Sequence, residues 1–125
     1  MSSINTPKIN SYVAGADLSA ATNETKAVKF DSNGDIVLAT AGDLAIGFLH
    51  SLGNTGEHVE VATFGGSARG TAAATITAGD LLKSDANGDL VIANVADDLA
   101  IAIAGENAVD NDEFEVIPML VRIHA

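Results

Sequence analysis

The segment Asp31-Ser-Asn-Gly-Asp-Ile-Val-Leu-Ala39 returns as Asp85-Ala-Asn-Gly-Asp-Leu-Val-Ile-Ala93, an offset of 54 (85 minus 31), with six of nine positions identical. Lys29 and Lys83 keep that offset. One inserted residue later, Asp43-Leu-Ala-Ile46 recurs as Asp98-Leu-Ala-Ile101, and Val59-Glu-Val61 as Phe114-Glu-Val116. Self-similarity at a fixed period constrains a fold more than any composition does. Two copies are too few for a solenoid, so the two units must pack into one core. The repeat predicts a β domain over residues 27–125, with units at about 27–64 and 81–119 and a linker at 65–80.

Each copy reads as short strands. Residues 27–30 and 35–40 flank Asn33-Gly34, and residues 81–84 and 89–93 flank Asn87-Gly88, so both pairs mark hairpin turns of a kind that tolerates positive φ, here expected as type I′. An apolar strand follows each hairpin, at 44–49 and 99–104. In the second, Leu99, Ile101 and Ile103 alternate with Ala100, Ala102 and Ala104, a period of two. The units close with strands at 58–64 and 113–117. Pro118 is expected to end the last of these and leave 119–123 as a separate edge strand. The Gly-, Ala- and Thr-rich linker is expected to be an extended crossover with one weak strand. The fold class is mainly β: a small β-barrel or β-sandwich of two sequence-related units, with an extended N-terminal arm.

That arm is expected over residues 1–26. Four Ser, three Thr and three Asn lie there, no period persists, and Lys8 and Lys26 cancel Asp17 and Glu24. The whole net charge of -11 therefore belongs to the remainder. Such a segment has little apolar surface to offset the entropy of ordering. Its apolar residues Ile4, Ile9, Tyr12 and Val13 are candidates for anchoring it on a partner; the alternatives are a loose tail with no task and a first strand of the domain itself.

Six basic against seventeen acidic residues repel a phosphate backbone, so nucleic acid is not an expected partner. With no Cys there is no disulfide framework, thiol nucleophile or cysteine-ligated zinc. No apolar stretch approaches a membrane span and the first residues lack the pattern of a signal peptide, so a protein made in the cytoplasm without a membrane partner is expected. Aromatics are only 4% of the chain, which argues against stacking platforms for sugars or single strands.

The candidate chemical sites are weak. Asp31-Ser-Asn-Gly-Asp35 and its repeat place oxygens at positions 1, 3 and 5, but an EF-hand needs Gly at position 6 and Glu at position 12. Hairpin turns account for both. Gly65-Gly-Ser-Ala-Arg-Gly70 lacks the Lys-Ser/Thr ending of a P-loop, and Arg69 is better suited to a salt bridge or a subunit contact. His50, His58 and His124 lack metal spacing, and Ser51 lacks a nucleophile-elbow context. His58 and Glu60 are expected to point outward, with Val59 and Val61 inward. No catalytic, cofactor-binding or metal-binding residue is expected, and no cofactor.

Ile76-Thr-Ala-Gly-Asp-Leu-Leu82, the Lys83–Asp89 hairpin, Leu99-Ala-Ile-Ala102, Ile46-Gly-Phe48 and Gly56-Glu-His-Val-Glu-Val61 together resemble the phage capsid decoration, or cement, proteins. Ala102 in place of Gly47, and Asn111-Asp112 in place of Gly56-Glu57, depart from the pattern. The resemblance implies a β-rich structural protein on the outer surface of a tailed-phage head. It further implies contacts with the major capsid protein, trimers as the favoured homo-oligomer, and no enzymatic activity. Two other classes compete: a receptor- or glycan-binding module of a tail or fibre, and a small hydrolase with an acidic site.

Overall fold

A computed structural model describes residues 6–123. Ten strands make up two five-stranded antiparallel sheets. The first holds β1 (Lys8–Val13), β2 (Ala27–Phe30), β3 (Ile36–Leu38), β4 (Gly47–Leu49) and β5 (His58–Thr63), in the order β1-β5-β4-β2-β3. The second holds β6 (Ala68–Thr71), β7 (Leu81–Ser84), β8 (Leu90–Ile92), β9 (Leu99–Ala104) and β10 (Glu113–Arg122), in the order β6-β10-β9-β7-β8. Adding five to each strand of the first sheet generates the second. The only helix among the described residues is a single 3₁₀ turn, Ala21–Asn23. The arrangement is sandwich-like and not a closed barrel.

The structural repeat is longer than the sequence repeat. Beyond β1, Ala14 makes a parallel bridge to Ile36, and Ala72 beyond β6 makes the matching one to Leu90. Leu18 then bridges Gly53, as Ile76 bridges Ala108. Residues 8–18 and 68–76 are thus the same opening piece of each unit. Of the arm expected over 1–26, residues 1–5 lie outside the described residues, and the rest is corrected: β1 pairs with β5 along its whole length, from Lys8↔Thr63 to Val13↔His58. The one strand expected in the linker at 65–80 is β6, which opens the second unit and pairs with β10 from Thr71↔Glu113 to Ala68↔Val116. Edge strands need backbone bonds on one side only, so β1 and β6 share a place without sharing side chains.

Two further expectations change. Pro118 lies inside β10, paired with Ala102, and the break it was expected to make is a register shift between Pro118 and Val121 that lets the strand run on to Arg122. A proline at an edge costs no ladder bond when its nitrogen faces away from the partner. The hairpin turns are three-residue loops: the Asp31 N–H bonds the Asp35 carbonyl at 2.8 Å, and the Gly34 N–H bonds the Asp31 carbonyl at 3.1 Å. Only the glycines have positive φ, 79° at Gly34 and 83° at Gly88, so the turn is a type I turn followed by a left-handed glycine, and not type I′.

Alternation puts one face of each sheet inside its own curl. In the first unit Ala14, Leu18, Val28, Ile36, Leu49, Val59 and Val61 form that interior. Val59 and Val61 are fully buried while His58 and Glu60 are exposed, as their alternation predicts. Residues on the opposite face of the same strands, Ala27, Phe48 and Ala62, belong to a second cluster with Ile76, Leu82, Leu90, Ile101, Phe114 and Val116. The second unit therefore seals the outer face of the first. Burying each large side chain fully contributes roughly 1.5–3 kcal/mol, so this shared cluster holds the units together.

Candidate functional site

The two hairpin turns are built by one carboxylate each. Asp31 Oδ1 accepts the N–H groups of Asn33 at 2.8 Å and Asp35 at 3.0 Å. Asp85 Oδ1 does the same for Asn87 at 2.8 Å and Asp89 at 2.9 Å. One carboxylate oxygen of each aspartate is thus directed at the backbone of its own turn. Asn33, Gly34, Asn87 and Gly88 are thus turn residues in the structure too, but the two turns differ in surroundings. A Cβ at Gly34 would meet nothing, whereas one at Gly88 would touch the Ala27 carbonyl at 3.2 Å. The second turn is docked and the first is free.

A second repeated device lies behind each hairpin. Asp43 Oδ2 accepts Lys29 Nζ at 2.7 Å, the Thr40 hydroxyl at 2.7 Å and the Thr40 N–H at 2.8 Å. The Lys29 ammonium and the Thr40 donors hold its carboxyl well below the usual range, at about 2. Asp98 repeats the arrangement with Lys83 at 3.0 Å and the Val95 N–H at 3.0 Å, and its carboxyl is lowered by the Lys83 ammonium first. These pairs explain why Lys29, Lys83, Asp43 and Asp98 recur in register: each fixes the turn that leads into the next strand.

At the join between units, Lys26 Nζ reaches the Asn87 carbonyl at 3.0 Å and Asp89 Oδ1 at 3.1 Å. Its side chain is 13% exposed and that of Asp89 21%, so this pair is partly desolvated. Around it runs a groove of about 390 Å³ whose lining includes Glu24, Thr25, Thr71, Asn111 and Glu113. Beside the groove Arg69 bridges Glu106 and Glu113, each at 3.3 Å, with about half of every side chain in solvent. That pairing agrees with the salt bridge expected of Arg69. Ser51 uses its hydroxyl to accept the Glu60 N–H at 2.9 Å. Among the described residues no cluster of His, Asp and Glu is grouped to hold a metal ion.

Exposed apolar side chains gather along the last strand. β6 covers only Glu113–Val116 of β10, so from Ile117 onward the strand has β9 on one side and a bare edge on the other. Ile117, Leu120 and Val121 are exposed, and so is Val95 in the turn that leads to β9. A bare apolar edge is a template for pairing with another chain. The edge strand expected at 119–123 is thus the second half of β10, continuous with 113–117 through Pro118.

The anchoring residues expected of the arm fall elsewhere. Ile4 lies outside the described residues. Ile9 packs against the shared cluster and Tyr12 against the first interior. The Tyr12 ring also meets Phe30 edge-on at 5.3 Å. Val13 is half-buried opposite His58. These three serve the first sheet.

No family model matches the chain, and no curated protein matches it. Among solved structures, the head fibre gp8.5 N base of bacteriophage phi29 is similar in fold, with a TM-score of 0.67 over 96% of this chain and 100% of that one. Identity is 14%, so the likeness is one of fold.

Proposed function

We propose that this protein is a structural, non-enzymatic component of a phage virion that sits on the outer surface of the head, decorates it and contacts the major capsid protein. The observation that carries the reading is the likeness, over 96% of this chain, to the N base of a phage head fibre. The doubled β unit supports it independently, because the same motifs in the same order resemble the decoration proteins. The engagement of Ser51, Arg69 and both turn aspartates in structural bonds fits a protein whose polar residues build shape.

The exposed edge of β10 with Ile117, Leu120 and Val121 is the surface we assign to attachment, either to capsid or to neighbouring subunits in a homo-oligomer, with a trimer favoured. One oligomer engaging several capsid subunits gains avidity from effective concentration even when each contact is weak. Purified protein mixed with expanded phage heads should co-sediment and add density on the outer surface at regular lattice positions. Heads that remain bare at saturating protein would end this reading. Specific retention on a glycan array would transfer support to a receptor-binding module of a tail or fibre.

A further inference from the structure

The two units are joined head to tail, and each half of that join has a counterpart at the far end of the molecule. The first unit offers its outer face, and the second offers its hairpin turn. The second unit has the same outer face, and the first unit has the same turn. We infer that the outer face of the second unit is a latent docking face for the first-unit hairpin of a second copy, held shut by Asp80 and by the C-terminal end of β10.

Burial shows what the face lacks. Ala27, Phe48 and Ala62 are 0%, 1% and 2% exposed under the second unit. Their counterparts are Leu81 and Ile103, both half-buried, and Ile117, 47% exposed. Leu81 and Ile117 are larger than Ala27 and Ala62, and all three counterparts remain apolar, yet among the described residues nothing covers them to the same depth. The turn that would fit there is Asp31–Asp35, whose Gly34 meets nothing where Gly88 meets the first unit.

Charge opposes the match. Lys26 and Asp80 occupy equivalent places, since the Lys26 carbonyl accepts the Leu49 N–H at 2.8 Å and the Asp80 carbonyl the Ala104 N–H at 2.9 Å. Asp35 and Asp89 are equivalent by their bonds to Asp31 and Asp85. A second copy docked by the same geometry would set Asp35 against Asp80, two carboxylates where the existing join has a lysine and a carboxylate. Asp80 instead turns to the Thr77 N–H at 2.9 Å.

The chain end adds a physical block. At the existing join the Gly42 N–H bonds the Ser84 carbonyl of the other unit at 3.0 Å. Asp97 is the counterpart of Gly42, with φ of 71° against 73°, and its N–H is taken at 2.8 Å by the Ile123 carbonyl. Arg122 secures that end by donating to the Asp97 carbonyl at 2.7 Å. A head-to-tail contact whose rotation does not close into a ring grows into open chains, which is the hazard these two features remove.

Sedimentation velocity over a range of concentrations tests the inference, with a thermal melt of every variant as the check on folding. A chain ending at Leu120 and carrying Asp80→Lys should give a ladder of species whose average mass climbs with concentration. Asp35→Lys in the same shortened chain leaves the Asp80 turn intact and should do the same, from the opposite side of the contact. Combining the two restores like charges and should return the mass to that of the shortened parent. If both single variants sediment as that parent, the face is not a docking face. Association that survives in the combined variant would also overturn the proposal, since it would reflect exposed apolar surface and not the hairpin contact.

Discussion

The hydroxyls of Thr25 and Thr71 meet at 2.7 Å across the join, and Thr25 makes this bond from a left-handed backbone with φ of 76°. Its counterpart in the second unit is Gly79, with φ of 93°, whose N–H bonds the Ala104 carbonyl at 2.8 Å as the Thr25 N–H bonds the Leu49 carbonyl at 2.9 Å. A β-branched residue in that region is strained by about 1–3 kcal/mol, which glycine avoids. The first unit tolerates the strain where its hydroxyl has a partner to reach, and the second unit has none there.

Thr25→Ala keeps the strain and loses the bond, so it should destabilise the protein by about 1 kcal/mol. Thr25→Gly loses the bond but relieves the backbone, and should cost less than the alanine. Urea unfolding of the two variants ranks them. A glycine variant less stable than the alanine would show that strain is not what separates the units.

Lys26 is the charged half of the join. Its removal leaves Asp89 and the Asn87 carbonyl without a donor in a partly buried place, and hydrogen bonds to charged groups contribute about 1.5–3 kcal/mol. Lys26→Met should therefore lower stability by roughly that amount. Arg69→Met, whose pairs are half exposed, should cost less than about 1 kcal/mol. Equal effects in denaturant melts would remove the distinction between the two sites.

Acid should find the repeated Lys–Asp devices. Asp43 titrates at about 2 in the folded chain, against 3.8 ordinarily, and Asp98 is lowered in the same direction. A depressed folded value gives stability that is complete above the unfolded value and is lost as pH falls through the folded one. The melting temperature should thus drop between about pH 4 and pH 2, and Asp43→Asn should flatten part of that slope while lowering the plateau above it. A variant whose slope matches the parent would show that Asp43 is not linked to folding.

How much of this was legible in the sequence depended on what each element needs from its side chains. The strands that carry the repeat, around Val28, Ile36, Val59 and their counterparts, face inward and must be apolar at every second place, so alternation and the Asn-Gly turns located them. Lys29 and Lys83 were visible as a recurring pair, but their partners Asp43 and Asp98 became meaningful only when the fold placed them together. The sequence offers β6 only as one weak strand of a linker and β1 only as an alternative to an arm, because an edge strand is specified by backbone bonds to one neighbour, and Ala-Arg-Gly-Thr has no pattern in common with Lys-Ile-Asn-Ser-Tyr-Val. The continuity of β10 through Pro118 escaped for a related reason: proline is compatible with a strand when its nitrogen is not called on, and sequence does not tell which way that nitrogen faces.

The segment that composition assigns to an arm is built into the first sheet through β1. Residues 2–20 contain all of β1, the bridge from Ala14 to Ile36 and the buried Leu18 with its N–H on the Gly53 carbonyl at 2.8 Å. Their deletion strips one edge from the first sheet and opens the interior formed by Val28, Ile36, Val59 and Val61. The shortened chain should therefore lose cooperative unfolding, and should not survive as a stable domain that merely binds less. Leu18→Ala separates packing from strand loss: a buried leucine truncated in place costs about 2–5 kcal/mol, and here the strand would remain. Deletion of residues 2–5 alone serves as the comparison, with melting near that of the parent expected. A chain lacking 2–20 that melts cooperatively near the parent temperature would return the segment to the role of an arm, and head binding measured on it would then tell whether that arm holds the capsid.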